Sequence, residues 1–126
     1  MKGIVLDAGA LIGIERGDRI LWGALRVAAR REIDVIVPTT ALAQVWRASR
    51  TQALLSKALG QCVEAGFDSL AREVGELCAR ARTRDVCDAH VALVASRQCD
   101  VLYTSDPVDM RRLLKTLGSR VRVLEC

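Results

Sequence analysis

Five aspartates of this 126-residue chain lie where carboxylates can act together, namely Asp7, Asp85, Asp88, Asp106 and Asp109. Asp7 directly follows residues 3–6 (Gly-Ile-Val-Leu), an apolar run typical of a strand buried on both faces. The other four form two pairs with a spacing of three residues, each at the start of a predicted helix, so each pair shares one helix face. Helix capping is an alternative role for Asp85, Asp106 and Asp109, because a helix N-terminus favours carboxylates.

Carboxylates that converge without a Lys or His among them repel one another, and a divalent cation relieves this repulsion. Mg²⁺ prefers oxygen ligands and is commonly held by one or two carboxylates together with a substrate phosphate. One or two such ions activate water and stabilise both oxygens of an in-line phosphodiester displacement. The five aspartates therefore predict metal-assisted phosphoryl chemistry.

Apolar runs and amphipathic stretches alternate along the chain and predict the elements that position these aspartates. Predicted strands cover residues 3–6, 34–37, 61–65, 101–103 and 121–124. Predicted helices cover 8–15, 20–31, 51–60, 68–82, 85–96 and 106–117, and a further helix begins at Thr39 or Thr40, carries Leu42, Val45 and Trp46 inward and continues past Arg50. Alternating strands and helices imply a three-layer α/β fold with parallel strands, in one domain spanning 1–126. In such sheets, chemistry collects beyond the carboxyl ends of the strands.

Composition narrows the class of protein. Hydrophobic residues make up 51% of the chain and only two residues are proline, which excludes a disordered chain. No apolar run approaches about 18 residues, so we expect no membrane span. The first residues lack the long apolar stretch of a signal peptide, so we expect a cytoplasmic protein.

Charge and cysteine content point to partners and compartment. The formal net charge is +4, and without the five aspartates ten acidic residues face nineteen basic ones. Such a surface suits a polyanion that approaches an acidic cleft. The five cysteines form no CxxC pair and His90 is the only histidine, so we expect no structural zinc site. We expect the thiols to be small buried hydrophobic groups in a reducing compartment.

Other motifs for phosphate or nucleophilic chemistry do not fit. Residues 8–13 do not match GxGxxG, and no GKS or GKT tripeptide occurs. A receiver domain has this length, but its acidic pair, central phosphoacceptor and late Lys are not correctly placed. A haloacid dehalogenase needs a second Asp where this chain has Gly9. A nucleophilic triad is not expected with His90 alone, and we expect that side chain to pack in the interior or to face solvent.

Four segments resemble the PIN domain, in particular the VapC-type toxins of bacterial toxin–antitoxin pairs. They are residues 5–12 (VLDAGALI), 37–47 (VPTTALAQVWR), 88–92 (DAHVA) and 104–109 (TSDPVD). The resemblance implies a PIN-like fold with a five-stranded parallel sheet and an endoribonuclease that depends on Mg²⁺ or Mn²⁺. It also implies a homodimer and a small VapB-like antitoxin whose C-terminal segment enters the acidic cleft.

The resemblance also implies roles for individual residues. Asp7 and Asp88 are the principal metal ligands, and Asp106 completes the cluster directly or through a water. Supporting residues are Asp85, Asp109, Thr104 and Ser105; the two hydroxyls are candidates to bond a water at the metal or a substrate phosphate. Gln44 takes the catalytic position where most relatives have Glu, and its amide brings no negative charge.

Gln44 leaves alternatives open. The first reading is the endoribonuclease, and the second is a PIN-fold protein that binds RNA or an antitoxin with weakened catalysis. A third is a metal-dependent phosphatase or a nuclease acting on DNA. Candidate contacts to RNA are Arg47, Arg50 and Arg84. We expect Trp46 in the core rather than as a stacking platform, and recognition of folded RNA by backbone and shape.

Overall fold

A five-stranded parallel sheet forms the centre of the structure, a computed structural model that describes residues 3–126. The strands are β1 (Gly3–Leu6), β2 (Asp34–Pro38), β3 (Val63–Ala65), β4 (Val101–Thr104) and β5 (Arg122–Glu125), in the order β3-β2-β1-β4-β5. Seven α-helices in the described residues flank this sheet: α1 (Ala8–Glu15), α2 (Arg19–Arg30), α3 (Thr39–Val45), α4 (Ala53–Leu59), α5 (Ala71–Ala81), α6 (Val86–Gln98) and α7 (Pro107–Thr116). The predicted three-layer α/β architecture is confirmed.

The central strand β1 is buried along its whole length, as its continuous apolar sequence predicts. Val5 pairs with Ile36 of β2 on one side and with Leu102 of β4 on the other. All three side chains are at most 4% exposed. The core therefore runs through the middle of the sheet, and two polar residues at the strand ends, Asp7 and Thr104, are buried with it.

The order of the strands reverses beside β1, because the chain builds β2 and β3 on one side and β4 and β5 on the other. In open parallel sheets a crevice forms at such a reversal, outside the carboxyl ends of the two strands. Here Asp7 follows β1, and its N–H donates to the Tyr103 carbonyl oxygen of β4 at 3.2 Å. The fold thus brings Asp7 beside the segment that carries Thr104, Ser105 and Asp106.

The helix predicted to continue past Arg50 ends instead at Val45, so that part of the prediction is wrong. The Arg47 N–H donates to Gln52 Oε1 at 2.9 Å, and the Ala43 carbonyl accepts from Arg47 Nη1 at 3.1 Å. Both partners of the next helical hydrogen bond are therefore engaged elsewhere. A 3₁₀ turn, Arg50–Gln52, follows before α4 begins.

Two other boundaries also differ from the prediction. The third strand is shorter than residues 61–65, because the N–H groups of Gln61 and Cys62 donate back to the carbonyls of Ala58 and Leu59 at the end of α4. The helix expected from residue 68 begins as a 3₁₀ turn, Asp68–Leu70, before α5.

The predicted Thr cap of α3 is not formed. Pro38 precedes the helix without a side-chain cap, and the Thr40 hydroxyl lies 2.7 Å from Nδ1 of His90 instead. This bond links the first turn of α3 to α6, the helix that carries Asp88.

Candidate metal centre

Asp7 is buried at the end of β1 and caps α1. The residue is 4% exposed, and its Oδ1 accepts the Ala10 N–H at 2.9 Å. Burial raises the pKa of Asp7 above its usual value, while hydrogen bonds from Thr104 and from nearby backbone N–H groups oppose that shift. The carboxylate is therefore both the cap of α1 and a buried acidic group at the carboxyl end of β1.

Thr104 connects two of the aspartates. Its buried hydroxyl donates to Asp7 Oδ2 at 2.5 Å and accepts the Asp106 N–H at 2.9 Å. The resemblance implies a supporting hydroxyl at Thr104 or Ser105. The structure gives Thr104 the contact to Asp7, whereas Ser105 is exposed beside the cleft.

Gly9 allows Ser105 its position. A Cβ at residue 9 would collide with the Ser105 side chain, so α1 and the end of β4 approach each other more closely than any other residue type permits. Both residues line a cleft of about 550 Å³ that also includes Arg16 and Asp18. The residue between Thr104 and Asp106 therefore borders a concave surface.

Three carboxylates converge at the starts of α6 and α7. One oxygen from each of Asp88, Asp106 and Asp109 lies within 4.8 Å of the other two. Asp106 is also the cap of α7, accepting the Asp109 N–H at 3.4 Å, and Asp85 caps α6, accepting the Asp88 N–H at 2.9 Å. The capping alternative is thus realised for Asp85 and Asp106 but not for Asp109, which lies in the first turn of α7, and the capped turns hold the three carboxylates together.

Asp88 has the most perturbed carboxyl of the cluster. Burial, followed by the charge and hydrogen bond of Asp85 and the charges of Asp7 and Asp106, raises the pKa of Asp88 to about 7. The pKa of Asp109 is also raised, chiefly by its hydrogen bond with Asp106, while the charge of Arg112 lowers it. Like charges dominate this site, and a cation bound among them would relieve the repulsion.

The structure groups these residues differently from the implied ligand set. Asp88 and Asp106 lie together as expected, and Asp109, expected only in support, lies with them. Asp7 is outside that group of three and acts on Asp88 through its charge. Carboxylate oxygens suit a hard divalent cation, so the residues that could hold one are Asp88, Asp106 and Asp109.

Gln44 lies on an exposed face of α3 and lines a second cleft, of about 440 Å³. Arg47 lines the same cleft, and Ile12 and Arg16 are shared between it and the cleft at Ser105. The two concave surfaces therefore adjoin along α1. Arg16 has no motif around it, and only the packing of α1 against α3 and the loop after α3 identifies it as a lining residue.

The remaining predicted contacts to RNA are exposed. Arg50 lies in the 3₁₀ turn after α3, and Arg84 immediately precedes the cap of α6. Trp46 is 39% exposed, so the expectation that it belongs to the core is wrong. Its N–H still donates to the Leu42 carbonyl, but its ψ of 130 turns the chain out of the helix after it, so no further turn of α3 follows to cover the side chain.

His90 is completely buried, which confirms the first of its two expected places. Its ring packs edge-on against Phe67, with centroids 5.3 Å apart, and its Nε2 has no hydrogen-bond partner among the described residues. Burial lowers the pKa of His90, and the backbone of Gly66 partly offsets this shift. The histidine is thus a core residue of α6.

All five cysteines are free thiols, and only Cys99 is fully buried. The expectation that all are buried is wrong for Cys126, which is exposed, while Cys62, Cys78 and Cys87 are half-buried. Burial raises the pKa of Cys99 to about 12. The only group of possible metal ligands in the described part of the chain is the one formed by aspartates.

No helix within residues 3–126 is both long and apolar enough to cross a membrane. Neither the protein-family models nor the curated proteins contain a match to this sequence.

Proposed function

We propose that this chain is an endoribonuclease that depends on Mg²⁺ or Mn²⁺. The observation that carries the proposal is the convergence of Asp88, Asp106 and Asp109, whose carboxylate oxygens lie within 4.8 Å of one another. Three carboxylates at this spacing fit a hard cation that prefers oxygen ligands. Burial and neighbouring aspartates raise the pKa of Asp88, which is consistent with negative charges held close together.

Each residue of the site has a distinct part in this proposal. Asp88 and Asp106 hold the cation with Asp109 beside them, and Asp7 adds negative charge from the end of β1. When bound, the ion supplies Lewis acidity that lowers the pKa of water and stabilises charge on a phosphodiester. Thr104 keeps Asp7 oriented, and the exposed Ser105 hydroxyl donates to a substrate phosphate.

The substrate is a polyanion that meets basic side chains outside the acidic cluster. Arg47 lines the cleft that contains Gln44 and adjoins the cleft at Ser105, and Arg50 and Arg84 are exposed on segments near α3 and α6. Arg binds phosphate through two oxygens at once, which suits contacts to a nucleic-acid backbone. The resemblance to VapC-type toxins favours RNA over DNA.

The biological role that we propose is the toxin of a toxin–antitoxin pair in the cytoplasm. It rests on the resemblance of four segments to VapC-type toxins, which also suggests a homodimer and a small VapB-like antitoxin. Expression of the chain alone would then arrest growth, and co-expression with the product of an adjacent small reading frame would restore it.

A second function is favoured by Gln44, an exposed amide on α3 where a carboxylate would add negative charge. In this alternative the chain binds RNA or an antitoxin and cleaves slowly. Gln44→Glu would then increase cleavage strongly, because it supplies the missing charge. Gln61→Glu, at another exposed glutamine after α4, is the matched control.

Cleavage of total cellular RNA by the purified chain tests the proposal directly. The reaction is run once with Mg²⁺ or Mn²⁺ and once with EDTA. A DNA oligonucleotide is then compared with an RNA oligonucleotide of the same sequence. Asp88→Asn and Asp106→Asn remove site carboxylates, and Asp34→Asn makes the same change at the opposite edge of the sheet, where β2 begins.

We expect discrete RNA fragments that require the metal, disappear with either site variant and persist with Asp34→Asn. Cleavage of DNA alone would replace the proposal by the DNA-nuclease alternative. No cleavage by folded chain, together with tight binding of RNA, would favour the binding protein.

A further inference from the structure

Trp46 is the one exposed aromatic side chain of a chain that contains only four aromatics, all of them in the described residues. The other three are held in the structure: Trp22 donates its indole N–H to the Ile14 carbonyl at 3.1 Å, Phe67 packs against His90, and Tyr103 lies within β4. Trp46 thus presents a large aromatic surface to solvent although the sequence has few such groups.

The segment that presents Trp46 is held rigidly by one buried side chain. The Gln52 amide is 5% exposed; its Oε1 accepts the N–H groups of Arg47 and Ser49, at 2.9 and 3.4 Å, and its Nε2 donates at 2.8 Å to both the Val45 carbonyl and Glu15 Oε1. These contacts tie the segment to the end of α3 and to α1. The exposed loop is therefore fixed from inside.

The same segment contains a strained residue. Ala48 has φ +53, a left-handed conformation that a residue with a Cβ adopts at a cost. Residues 46–50 are all exposed, so packing of their own side chains into the core does not account for this conformation. Strain of this kind persists where surrounding contacts impose it, and here the Gln52 contacts do so.

The guanidinium of the next residue in the chain, Arg47, is also held in place. Nη1 of Arg47 donates to the Trp46 carbonyl at 2.7 Å and to the Ala43 carbonyl at 3.1 Å. Both Val45 and Arg47, the neighbours of Trp46 in the chain, line the cleft that contains Gln44, Ser49 and Arg16. Trp46 thus lies in the chain between two residues of a concave surface that also carries a guanidinium and hydroxyl groups, and this surface adjoins the cleft at Ser105.

We infer that Trp46 is a stacking platform for an unpaired base of the RNA substrate, with Arg47 on the adjoining phosphate. This inference rests on the proposed function and assigns its substrate class as single-stranded RNA. Stacking on a side chain needs a base whose face is free, and a paired base inside a helix does not offer its face. Base–aromatic stacking is tolerant of sequence, so Trp46 would add affinity while other contacts select the cut site.

Binding of RNA without cleavage tests this inference. The Asp88→Asn substitution and EDTA together prevent hydrolysis. Fluorescence anisotropy then measures the affinity of this variant for a labelled single-stranded RNA of twelve nucleotides and for the corresponding duplex. Trp46→Ala, Trp46→Phe and Arg47→Ala are compared with Ile20→Ala, which removes an apolar side chain that is 73% exposed on α2. Thermal melting of each variant checks that it is folded.

We expect Trp46→Ala to weaken binding of the single strand by on the order of ten-fold. Trp46→Phe should retain most of the affinity, because the aromatic face remains. Arg47→Ala should weaken the binding of both RNAs and reduce the salt dependence of that binding. Ile20→Ala should bind both RNAs as the background does. Equal losses for single strand and duplex with Trp46→Ala, or none for either, would overturn the stacking role.

A spectroscopic readout reports the contact itself. Trp22→Phe leaves Trp46 as the only tryptophan, so its fluorescence follows position 46 alone. We expect single-stranded RNA to quench it and duplex RNA to leave it nearly unchanged; no quenching by a strand that binds would refute the inference. If RNA quenches the fluorescence but the parent chain cleaves no RNA, the nuclease proposal fails while the stacking inference stands. The failures of the two proposals are therefore distinguishable.

Discussion

The Thr104 hydroxyl donates a hydrogen bond to the buried carboxylate of Asp7 across neighbouring parallel strands, between residues that are 97 positions apart in the chain. The same oxygen accepts the N–H of Asp106. One side chain of β4 therefore orients the aspartate that ends β1 and the aspartate that caps α7.

Thr104→Val should destabilise the chain and disturb the site. Valine has nearly the same shape but leaves Asp7 Oδ2 without its hydroxyl donor and the Asp106 N–H without its acceptor, a loss of about 1–3 kcal/mol. Denaturant unfolding at neutral pH measures the change. Thr116→Val is the control, because that hydroxyl bonds only the Arg112 carbonyl of its own helix. Similar losses in the two variants would argue against a special role for Thr104.

Asp88→Asn should stabilise the metal-free chain at alkaline pH. In the folded state the pKa of Asp88 is raised from 3.8 to about 7. A carboxyl with a raised pKa contributes stability that is complete below its unfolded pKa and is lost as pH rises through the folded value. Between pH 4 and 8 in EDTA, the variant should therefore gain melting temperature relative to the parent chain.

We expect a divalent cation to reverse that order, because Mg²⁺ or Mn²⁺ bound at the proposed site would stabilise the parent chain and would have one carboxylate fewer to bind in the Asp88→Asn variant. Thermal melting across pH with and without Mn²⁺ measures both effects. A difference between variant and parent that does not change with pH would contradict the assigned electrostatics.

Asp109→Asn distinguishes a metal ligand from a helix-start residue. We expect Mn²⁺ affinity to fall by at least roughly ten-fold, the loss that even a supporting residue of a metal site produces. Titration with Mn²⁺, followed by electron paramagnetic resonance of the free ion, gives this affinity. Asp106→Asn should behave alike and Asp34→Asn should not. Unchanged Mn²⁺ binding with a small loss of stability would show that Asp109 only stabilises the first turn of α7 and is not a metal ligand.

Gln52→Met should loosen the loop after α3. It replaces the buried amide by a side chain of similar length that accepts from neither Arg47 nor Ser49, and we expect a loss of about 1–3 kcal/mol. Hydrogen exchange should rise at residues 46–50 and remain slow in β1. Gln98→Met, at an exposed position near the end of α6, is the control. Exchange that rises evenly over the whole chain would indicate general destabilisation.

Local pattern was sufficient for most of the fold. The apolar run before Asp7, the alternation of strands and helices and the paired aspartates at two helix starts predicted a parallel sheet with carboxylates at one edge. The irregular end of α3 could not be predicted in this way, because Gln52, seven residues beyond the helix, supplies the partner that ends it. An amide in a polar stretch carries no local signal that it will be buried.

The exposure of Trp46 was also beyond what local pattern could predict. Its spacing from Leu42 and Val45 fits an apolar helix face, yet the helix ends one residue earlier and the indole is exposed. Helical spacing predicts burial only while the helix continues, and the contacts that end α3 are long-range. The exposure of Trp46 became visible only with Gln52 and Arg47 in place.

The sequence by itself determined the parallel α/β sheet and the placement of aspartates at its carboxyl edge, because apolar periodicity and helix capping act over a few residues. Only the tertiary structure decided which carboxylates meet. Asp109 joins Asp88 and Asp106 while Asp7 caps α1 beside them, since distances between strand ends and helix starts depend on how β1, β4, α6 and α7 pack. Packing of elements far apart in the chain sets those distances, and no local pattern encodes them.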